Sequence, residues 1–506
     1  MTFARLLDNT ARRVPAKTAL IDDRDQIWTY AAFAAMTRCA AGGLVAAGVL
    51  PGDRIALHML NRVELAVLYF ACARVGAIAV PVNTRLKPAE IDFVLQHSGA
   101  TVYVGSSDLM PASLPGSEGS AHLRHVFALG EASRACPYAQ LLANGPATSL
   151  PDIGASQPAV IIYTSGSTSR PKGVVYNHQA VVAGAHLGQP GITADRVVAQ
   201  AASMMHSGGF CHLIASVGVG ATFVLLPGFN ADGVLDAIEQ HRCTYFSGLP
   251  FMFDELVQRQ RARPRDVTSA TTFHAGGDTV SPALQERFLA LFGHPLREGY
   301  GSTEAGRVTH LPPDRPVRTG SIGVPIDGIE VRIVDADGHD TPPEIAGELL
   351  IRSPAVMSGY WRDSVASAAA LQNGWLRSGD LARRDADGYL WFVGRLKEII
   401  VRGGSNVAPR EVEKALADHP AVIESVVLGL PDDVLGERVV AVVCRRPEIE
   451  VTEGDLIAFL RERLADYKVP ERISLRMSLP KNIGGKLARG LLREQLMAVP
   501  SAAVDW

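Results

Sequence analysis

The sequence predicts an α/β protein: a large N-terminal domain of βα sheets covered by helices, with a β-rich subdomain, and then a small α+β C-terminal domain. Three observations carry this. Strand-like and helix-spaced segments alternate early in the chain and again between Ser203 and Gly299, the pattern of parallel sheets covered by helices. After Gly320 the pattern changes to period two with turn signals, which predicts strands. Beyond "VGRLKEII", Val393 to Ile400, about a hundred residues form a plausible domain of their own. The expected domains are residues 1–394 and 395–506.

In order along the chain, "MTFARLLDNTARRVP" reads as a short amphipathic helix without the apolar core of a signal peptide. "DRIALHML" is a strand, and "RVELAVLYFACARVG" a helix stopped by Gly76. "AIAVPVN" is a buried strand, "KPAEIDFVLQHSG" a helix with a glycine stop, and "TVYVG" a strand. From Ser106 to about Pro158, Gly, Pro, Ser and Ala dominate, so surface excursions are expected, with one strand near "RHVFAL". "LIASVGVGATFVLLPGF", Leu213 to Phe229, is the most apolar later run. Its central glycines and Pro227-Gly228 predict a buried helix, a turn and a strand rather than a membrane span. "IGVPIDGIEVRIVDADG" and "IAGELLIRSP" are the period-two strands. In the last part, "PREVEKALADHP" is a helix opened by Pro409, "VIESVVLGLP" and "RVVAVVCR" are strands, "TEGDLIAFLRERL" is a helix with Thr452 and Asp455 at capping-box spacing, and "RISLRM" is a strand.

Hydrophobic residues make up 47% of the chain, enough for large cores and too many for a disordered one. The net charge of -3, with nearly equal basic and acidic counts, argues against a nucleic-acid or acidic-membrane partner. Six scattered cysteines show no CxxC pair and no Cys/His metal spacing, so reduced cysteines, most of them in the core, are expected. A soluble cytoplasmic protein without an integral membrane segment is the simplest expectation.

"IIYTSGSTSRPKGVV", Ile161 to Val175, sets small hydroxyl residues and glycine between two apolar flanks that read as buried strands. Such a loop offers many backbone N–H groups and close approach to a ligand, and Lys172 adds charge suited to a polyphosphate. A polar surface turn explains the same composition. No GKS or GKT follows at Walker spacing.

Five further stretches join it: "YGSTEAG" at Tyr300, "GELLIRSPAVMSGYW" at Gly347, "GWLRSGDL" at Gly374, "GRLKEIIVRGGSNVAPREVE" at Gly394 and "LPKNIGGKLAR" at Leu479. Together these resemble the ordered core motifs of the adenylate-forming superfamily, which includes acyl- and aryl-CoA synthetases, luciferases and peptide-synthetase adenylation domains. The resemblance spans nearly the whole chain. It implies ATP, Mg²⁺ and coenzyme A as cofactors. Thr164, Ser165, Gly166, Ser167, Thr168 and Lys172 correspond to the phosphate loop; Ser169 stands where the family usually has a second glycine. Tyr300 resembles the residue that stacks on adenine, with Gly276, Gly277, Gly301 and Ser302 around the nucleotide. Asp278 stands where a small residue is more usual. Thr303 would bond the α-phosphate, and Glu304, with Thr164, would hold the metal, since a carboxylate beside a phosphate needs a hard cation between them. Asp380 resembles the ribose-binding acid, Arg395 a second ribose contact, and Lys486 the lysine that bridges the acid's carboxylate and the α-phosphate. Taken singly, Glu304 reads as a solvated acid, Lys486 as a surface lysine, and Asp380 and Arg395 as members of structural ion pairs.

The resemblance also implies two half-reactions, adenylation and thioester formation, with the small mobile domain turning about Lys397 between them. That rotation withdraws Lys486 and brings up Gly403 and Gly404 to line a channel for the pantetheine arm. "SMMHSGGF", Ser203 to Phe210, is expected at the acyl pocket. His206 corresponds to the gate beside the carboxylate, with a core histidine as the alternative, and Gly208, Gly209 and Phe210 to the wall. Apolar surroundings there and in "FSGLPFMF" suit a fatty or aromatic acid. A dicarboxylate would need a second cation, for which Arg307 is the nearby candidate. The expectation is thus a stand-alone acid–CoA ligase acting on a small-molecule carboxylic acid, with a homodimer left open. The chain ends soon after Lys486 with no appended carrier domain, and an enzyme that loads a separate carrier protein, differing only in the acceptor, stays open as the alternative. Retention of the motif residues argues against a non-catalytic nucleotide-binding module.

Overall fold

Ile55, Ala56 and Leu57, and Val102, Tyr103 and Val104, are fully buried on both sides of their strands, as strands covered on both faces must be. The computed structural model of the protein describes residues 1–111, 114, 123–132, 135–164, 171–187, 189, 191–277, 280–402, 405–432, 435–482 and 486–498. The chain divides into two compact units, Met1–Val331 with Ile351–Arg377, and Arg332–Leu350 with Ser378–Trp506.

In the first unit an eight-stranded sheet runs in the order Gly359–Tyr360, Lys172–Asn177, Pro158–Thr164, Ile78–Pro81, Arg54–His58, Val102–Ser106, His125–Leu129, Cys136–Pro137. Its strands from Pro158–Thr164 to Cys136–Pro137 pair in parallel. The strands flanking the hydroxyl-rich loop pair antiparallel, with Thr164 opposite Lys172. The alternation expected early in the chain is present, and Gly76 and Gly99 end their helices at φ 73 and 67, in the left-handed region that glycine enters at low cost.

A seven-stranded sheet has the order Leu296–Gly299, Thr272–Gly276, Tyr245–Gly248, Val197–Gln200, Thr222–Leu225, Thr18–Ile21, Ile27–Thr29. Its pairs are parallel except the last. Three neighbouring strands end in glycine, with Gly248 opposite Ala275 and Gly276 opposite Gly299. Ligands of open α/β sheets gather beyond such carboxyl ends. Phe3, Phe33, Phe70 and Phe210, fully buried or nearly so, tie the helices Ala4–Arg13, Tyr30–Ala46, Val63–Val75 and Ser207–Val219 together by edge-to-face contacts. The expected buried helix, turn and strand at Leu213 to Phe229 are found, with Gly220 at φ 90 as the stop. Among the described residues no helix is long and apolar enough to cross a membrane.

The second unit holds a five-stranded sheet in which Gly436–Arg445 lies between Val422–Asp432 and Ile400–Arg402, Ser405–Val407 extends the edge, and Arg472–Arg476 pairs in parallel with Gly436–Arg445. Successive residues alternate between two cores. Val427, Ala441 and Val443 pack towards the helices Pro409–Ala417 and Glu453–Arg461. Val426, Leu428 and Val442 pack towards Leu492 and Leu496 of Arg489–Met497. That last helix is missing from the sequence reading. The Thr452–Asp455 capping box forms, with the Thr452 N–H donating to Asp455 Oδ2 at 2.9 Å. Cys72, Cys243 and Cys444 are buried and Cys136 is exposed; burial pushes the thiols of Cys72, Cys211 and Cys243 up to about 12.

The start of the helix Ser207–Val219 sits tightly on the preceding turn. A Cβ added at Gly209 would lie 2.4 Å from the Ser203 carbonyl oxygen, whereas one at Gly208 meets nothing within 4 Å. Gly209→Ala is expected to lower stability by about 1–3 kcal/mol, while Gly208→Ala gains helix propensity and is neutral or slightly stabilising. Urea unfolding midpoints check this; equal midpoints for the two variants would contradict it.

Candidate active site

The hairpin Gly301–Ser302/Gly306–Arg307 presents Thr303 and Glu304 at its tip. Gly301 pairs with Arg307 and Ser302 with Gly306. Gly306 takes φ 68, and a Cβ on Gly301 would lie 2.5 Å from the Gly306 carbonyl, so both glycines are needed for the turn to close. The Ala305 N–H donates to Ser302 Oγ at 3.2 Å inside the turn. Tyr300, 9% exposed, leads into the hairpin and donates its N–H to Thr309 Oγ1 at 2.8 Å.

Three hydroxyls hold this tip. The Tyr176 hydroxyl donates to the Thr303 carbonyl. Ser207 Oγ lies 3.4 Å from Thr303 Oγ1. The Tyr360 hydroxyl donates to Glu304 Oε1 at 3.1 Å. The Lys172 ammonium sits 4.7 Å from the centroid of the same Tyr360 ring, at cation–π distance. One tyrosine therefore ties the lysine after the hydroxyl loop to the carboxylate on the hairpin. Burial first, and then the Glu304 charge, hold the Tyr360 phenol protonated far above its ordinary range. Burial does the same for Tyr176. Neither tyrosine is singled out in the sequence reading. Tyr360 lies in the motif "MSGYW", whose resemblance to a family core motif is the signal that points to it.

Thr164 closes its strand with Oγ1 at 3.5 Å from the Lys172 carbonyl oxygen. Ser165, Gly166, Ser167, Thr168 and Ser169 lie outside the described residues, as do Asp278, Gly403 and Gly404. Gly276 ends its strand with room for a Cβ 3.6 Å from the Gly299 carbonyl oxygen, and Gly277 follows at φ 78, where a side chain would be strained. His206, exposed, precedes the helix Ser207–Val219, with Nε2 3.4 Å from Asn83 Nδ2. Gly208 borders open space. Phe210 is 1% exposed, packs on Tyr69 at 4.8 Å between ring centroids, and borders a small cavity of about 20 Å³ with Tyr176, Gly184, Arg307 and Ala355.

In the second unit Asp380 stands opposite Arg395 in an antiparallel pair, with Arg395 Nε 3.3 Å from Asp380 Oδ1. Asp380 is 7% exposed and its N–H donates to Ser378 Oγ at 3.1 Å. Lys397 is exposed in the 3₁₀ turn Leu396–Glu398. Arg402 binds Glu471 at 2.6 Å. Lys486 is exposed; its N–H donates to Asn482 Oδ1 at 3.0 Å, and the Asn482 N–H donates to the Lys486 carbonyl at 2.6 Å. These two bonds close the loop that carries the lysine. The structure thus brings Thr303, Glu304, Lys172 and Thr164 to one region of the first unit, and Asp380 and Arg395 together in the second.

Residues 7–361 match the family model for AMP-binding enzymes, and residues 411–486 that for the AMP-binding enzyme C-terminal domain. Feruloyl-CoA synthase of Amycolatopsis sp is 35% identical over 96% of this chain and 97% of its own length. Medium-chain fatty-acid–CoA ligase of Escherichia coli is 33% identical over 98% of this chain and 90% of its own. The crystal structure of an anthranilate CoA ligase in complex with anthranoyl-AMP superposes with a TM-score of 0.89 at 28% identity, covering 98% of this chain and 97% of that one. The chain therefore belongs to the AMP-binding enzyme family, among the acyl- and aryl-CoA synthetases of the adenylate-forming superfamily.

Proposed function

We propose that the protein activates a fatty or aromatic acid with ATP and passes the acyl group to coenzyme A. In the first half-reaction a carboxylate oxygen attacks the α-phosphorus, the acyl O–P bond forms, and the bond to pyrophosphate breaks. In the second, the thiol sulfur attacks the acyl carbon, the thioester forms, AMP leaves, and the thiol proton passes to solvent. The observation that carries this reading is the Lys172–Tyr360–Glu304 chain, which sets a cation and a carboxylate beside one phenol next to Thr303.

Each role is the one the resemblance to the adenylate-forming superfamily implies, and the chemistry of the residue suits it. Thr164, the loop 165–168 and Lys172 receive the β- and γ-phosphates. Tyr300 stacks on adenine beside Gly276 and Gly277, and Gly301, Ser302 and Thr303 approach the α-phosphate. Glu304 and Thr164 fit a hard divalent cation: both offer oxygen, and among the described residues the hydrogen-bond donor to the Glu304 carboxylate is the neutral phenol of Tyr360. Bound Mg²⁺ would neutralise charge between the phosphates. Asp380, supported by Arg395, accepts the two ribose hydroxyls. His206 stands at the acid's carboxylate, with Gly208 and Phe210 on the acyl wall. Lys486 offsets the repulsion between carboxylate and α-phosphate while they join. Rotation of residues 395–506 about Lys397 then exchanges Lys486 for the pantetheine channel at Gly403 and Gly404.

The direct test is pyrophosphate release with a panel of short, medium, long-chain and aromatic acids, with and without CoA. Acid-dependent release is expected, and its absence for every acid sinks the reading. Lys486→Ala is expected to abolish adenylation while sparing thioester formation from supplied acyl-AMP; equal loss of both half-reactions contradicts its assignment. Tyr360→Phe removes one hydrogen bond to a carboxylate and is expected to cost about 1–2 kcal/mol in turnover, roughly tenfold. It should also raise the Mg²⁺ concentration needed for half-maximal rate, which a purely structural tyrosine would not do. Chelation of divalent cations is expected to stop pyrophosphate release and added Mg²⁺ to restore it; activity that survives chelation removes the metal role of Glu304.

A further inference from the structure

Arg307, at the base of the same hairpin, is a partly buried cation whose described contacts include no carboxylate. Its guanidinium lies across Gly299, where a Cβ would come within 2.9 Å of Nη2. It donates to His274 Nδ1 at 2.9 Å, to the Thr309 carbonyl at 3.3 Å and to Gln189 Oε1 at 3.5 Å. Every one of these acceptors is neutral. Because a guanidinium only donates, His274 must accept at Nδ1 and carry its proton on Nε2. Burial and the Arg307 charge drive the His274 imidazole well below its ordinary range and push His212 down to about 3, so both stay uncharged. Beside them is a second unsatisfied group. Tyr245 is 0% exposed, and the side chains of Arg307 and Ser247 approach its hydroxyl without closing a hydrogen bond of good geometry.

Buried charges and buried hydroxyls are normally paired, because leaving them unpaired forfeits their hydration without return. Here a guanidinium without an anion among its described contacts lies beside a buried hydroxyl without a well-formed hydrogen bond, and Arg307 borders the same cavity as Phe210, Tyr176 and Ala355. We propose that Arg307, with Tyr245 and His274, forms a specificity-determining subsite for a second carboxylate at the far end of the acid substrate. This rests on the acid–CoA ligase reading and narrows it, from fatty or aromatic acids at large to acids that carry a distal anion. Arg307 sits opposite Gly301, two register steps from the level of Thr303, which corresponds to roughly 7 Å along the hairpin. A short spacer, a few methylenes or one ring, separates the two carboxylates.

The test measures kcat/KM for pyrophosphate release on matched pairs: succinate with butyrate, adipate with hexanoate, terephthalate with benzoate. At least one dicarboxylate is expected to exceed its partner by about tenfold or more in the unaltered enzyme, since a site built for a charged hydrogen bond discriminates strongly against an analogue that lacks it. In Arg307→Met that ratio is expected to fall by about 10–100-fold, and in Arg307→Lys to recover in part, because the ammonium keeps the charge and loses the fork. Preference for the monocarboxylate in every pair overturns the subsite without needing any variant. A loss in Arg307→Met that scales both members of each pair equally also overturns it and leaves the arginine as a strut of the hairpin. No release with any acid overturns the ligase reading itself.

Discussion

A carboxylate held by a phenol is the interaction on which the rest of the site depends. The Tyr360 hydroxyl fixes Glu304 with a proton it does not give up, so the anion is oriented but not neutralised. Had a lysine or arginine taken that place, the carboxylate would be spent in an ion pair. The same ring faces the Lys172 ammonium with its electron-rich surface. Cation and anion are therefore positioned by one rigid aromatic group and kept from collapsing onto each other. Both charges stay available to a ligand that carries charge of both signs, as a metal–nucleotide complex does.

Backbone geometry sets where these groups stand. Three neighbouring parallel strands stop at Gly248, Gly276 and Gly299, the last two directly opposite each other and Gly248 one residue short of that level. The chain then turns at Gly277 and, after Tyr300, into the tight hairpin that ends with Thr303 and Glu304 at its tip. A Cβ at Gly248 would come within 2.9 Å of Met252 Sδ and one at Gly299 within 2.7 Å of the Thr309 carbonyl oxygen, so two of these strand ends have no room for a side chain. The strands Pro158–Thr164 and Lys172–Asn177, paired so that Thr164 faces Lys172, bring the hydroxyl-rich segment back to its own starting level. The tip is then braced from elsewhere in the unit by Tyr176, Ser207 and Tyr360.

Much of this was legible because the signals were local. Helix stops at Gly76 and Gly99, the capping box at Thr452, and the strands Val422–Asp432 and Gly436–Arg445 depend on neighbours in sequence. The helix Tyr30–Ala46 was not legible. It is rich in alanine and buried over much of its surface, so it shows no polar stripe, and its Gly42 and Gly43 look like breakers. In the fold those glycines are contact points, since a Cβ on either would lie about 2 Å from a backbone oxygen of the segment around Leu141 and Gly145. The C-terminal helix Arg489–Met497 was missed because its exposed face is long, and only Leu492 and Leu496 mark the buried one. In the site, motif residues could be named from the chain, but Tyr176 and Tyr360 act through partners more than fifty residues away, as does Arg307 through Gln189. Contacts of that span leave no periodic trace.

The burial of half of the six thiols has a bearing on the company this chain keeps. Cys72, Cys211 and Cys243 are held in the unreactive SH form at any physiological acidity. An enzyme whose second substrate carries a sulfhydryl works amid free and oxidised forms of that substrate, and any nucleophilic sulfur of its own invites mixed-disulfide capture. Burying Cys72 and Cys243 and keeping the Cys211 thiol protonated confines that hazard to the surface, above all to Cys136, at an edge strand and remote in sequence from every residue of the proposed machinery.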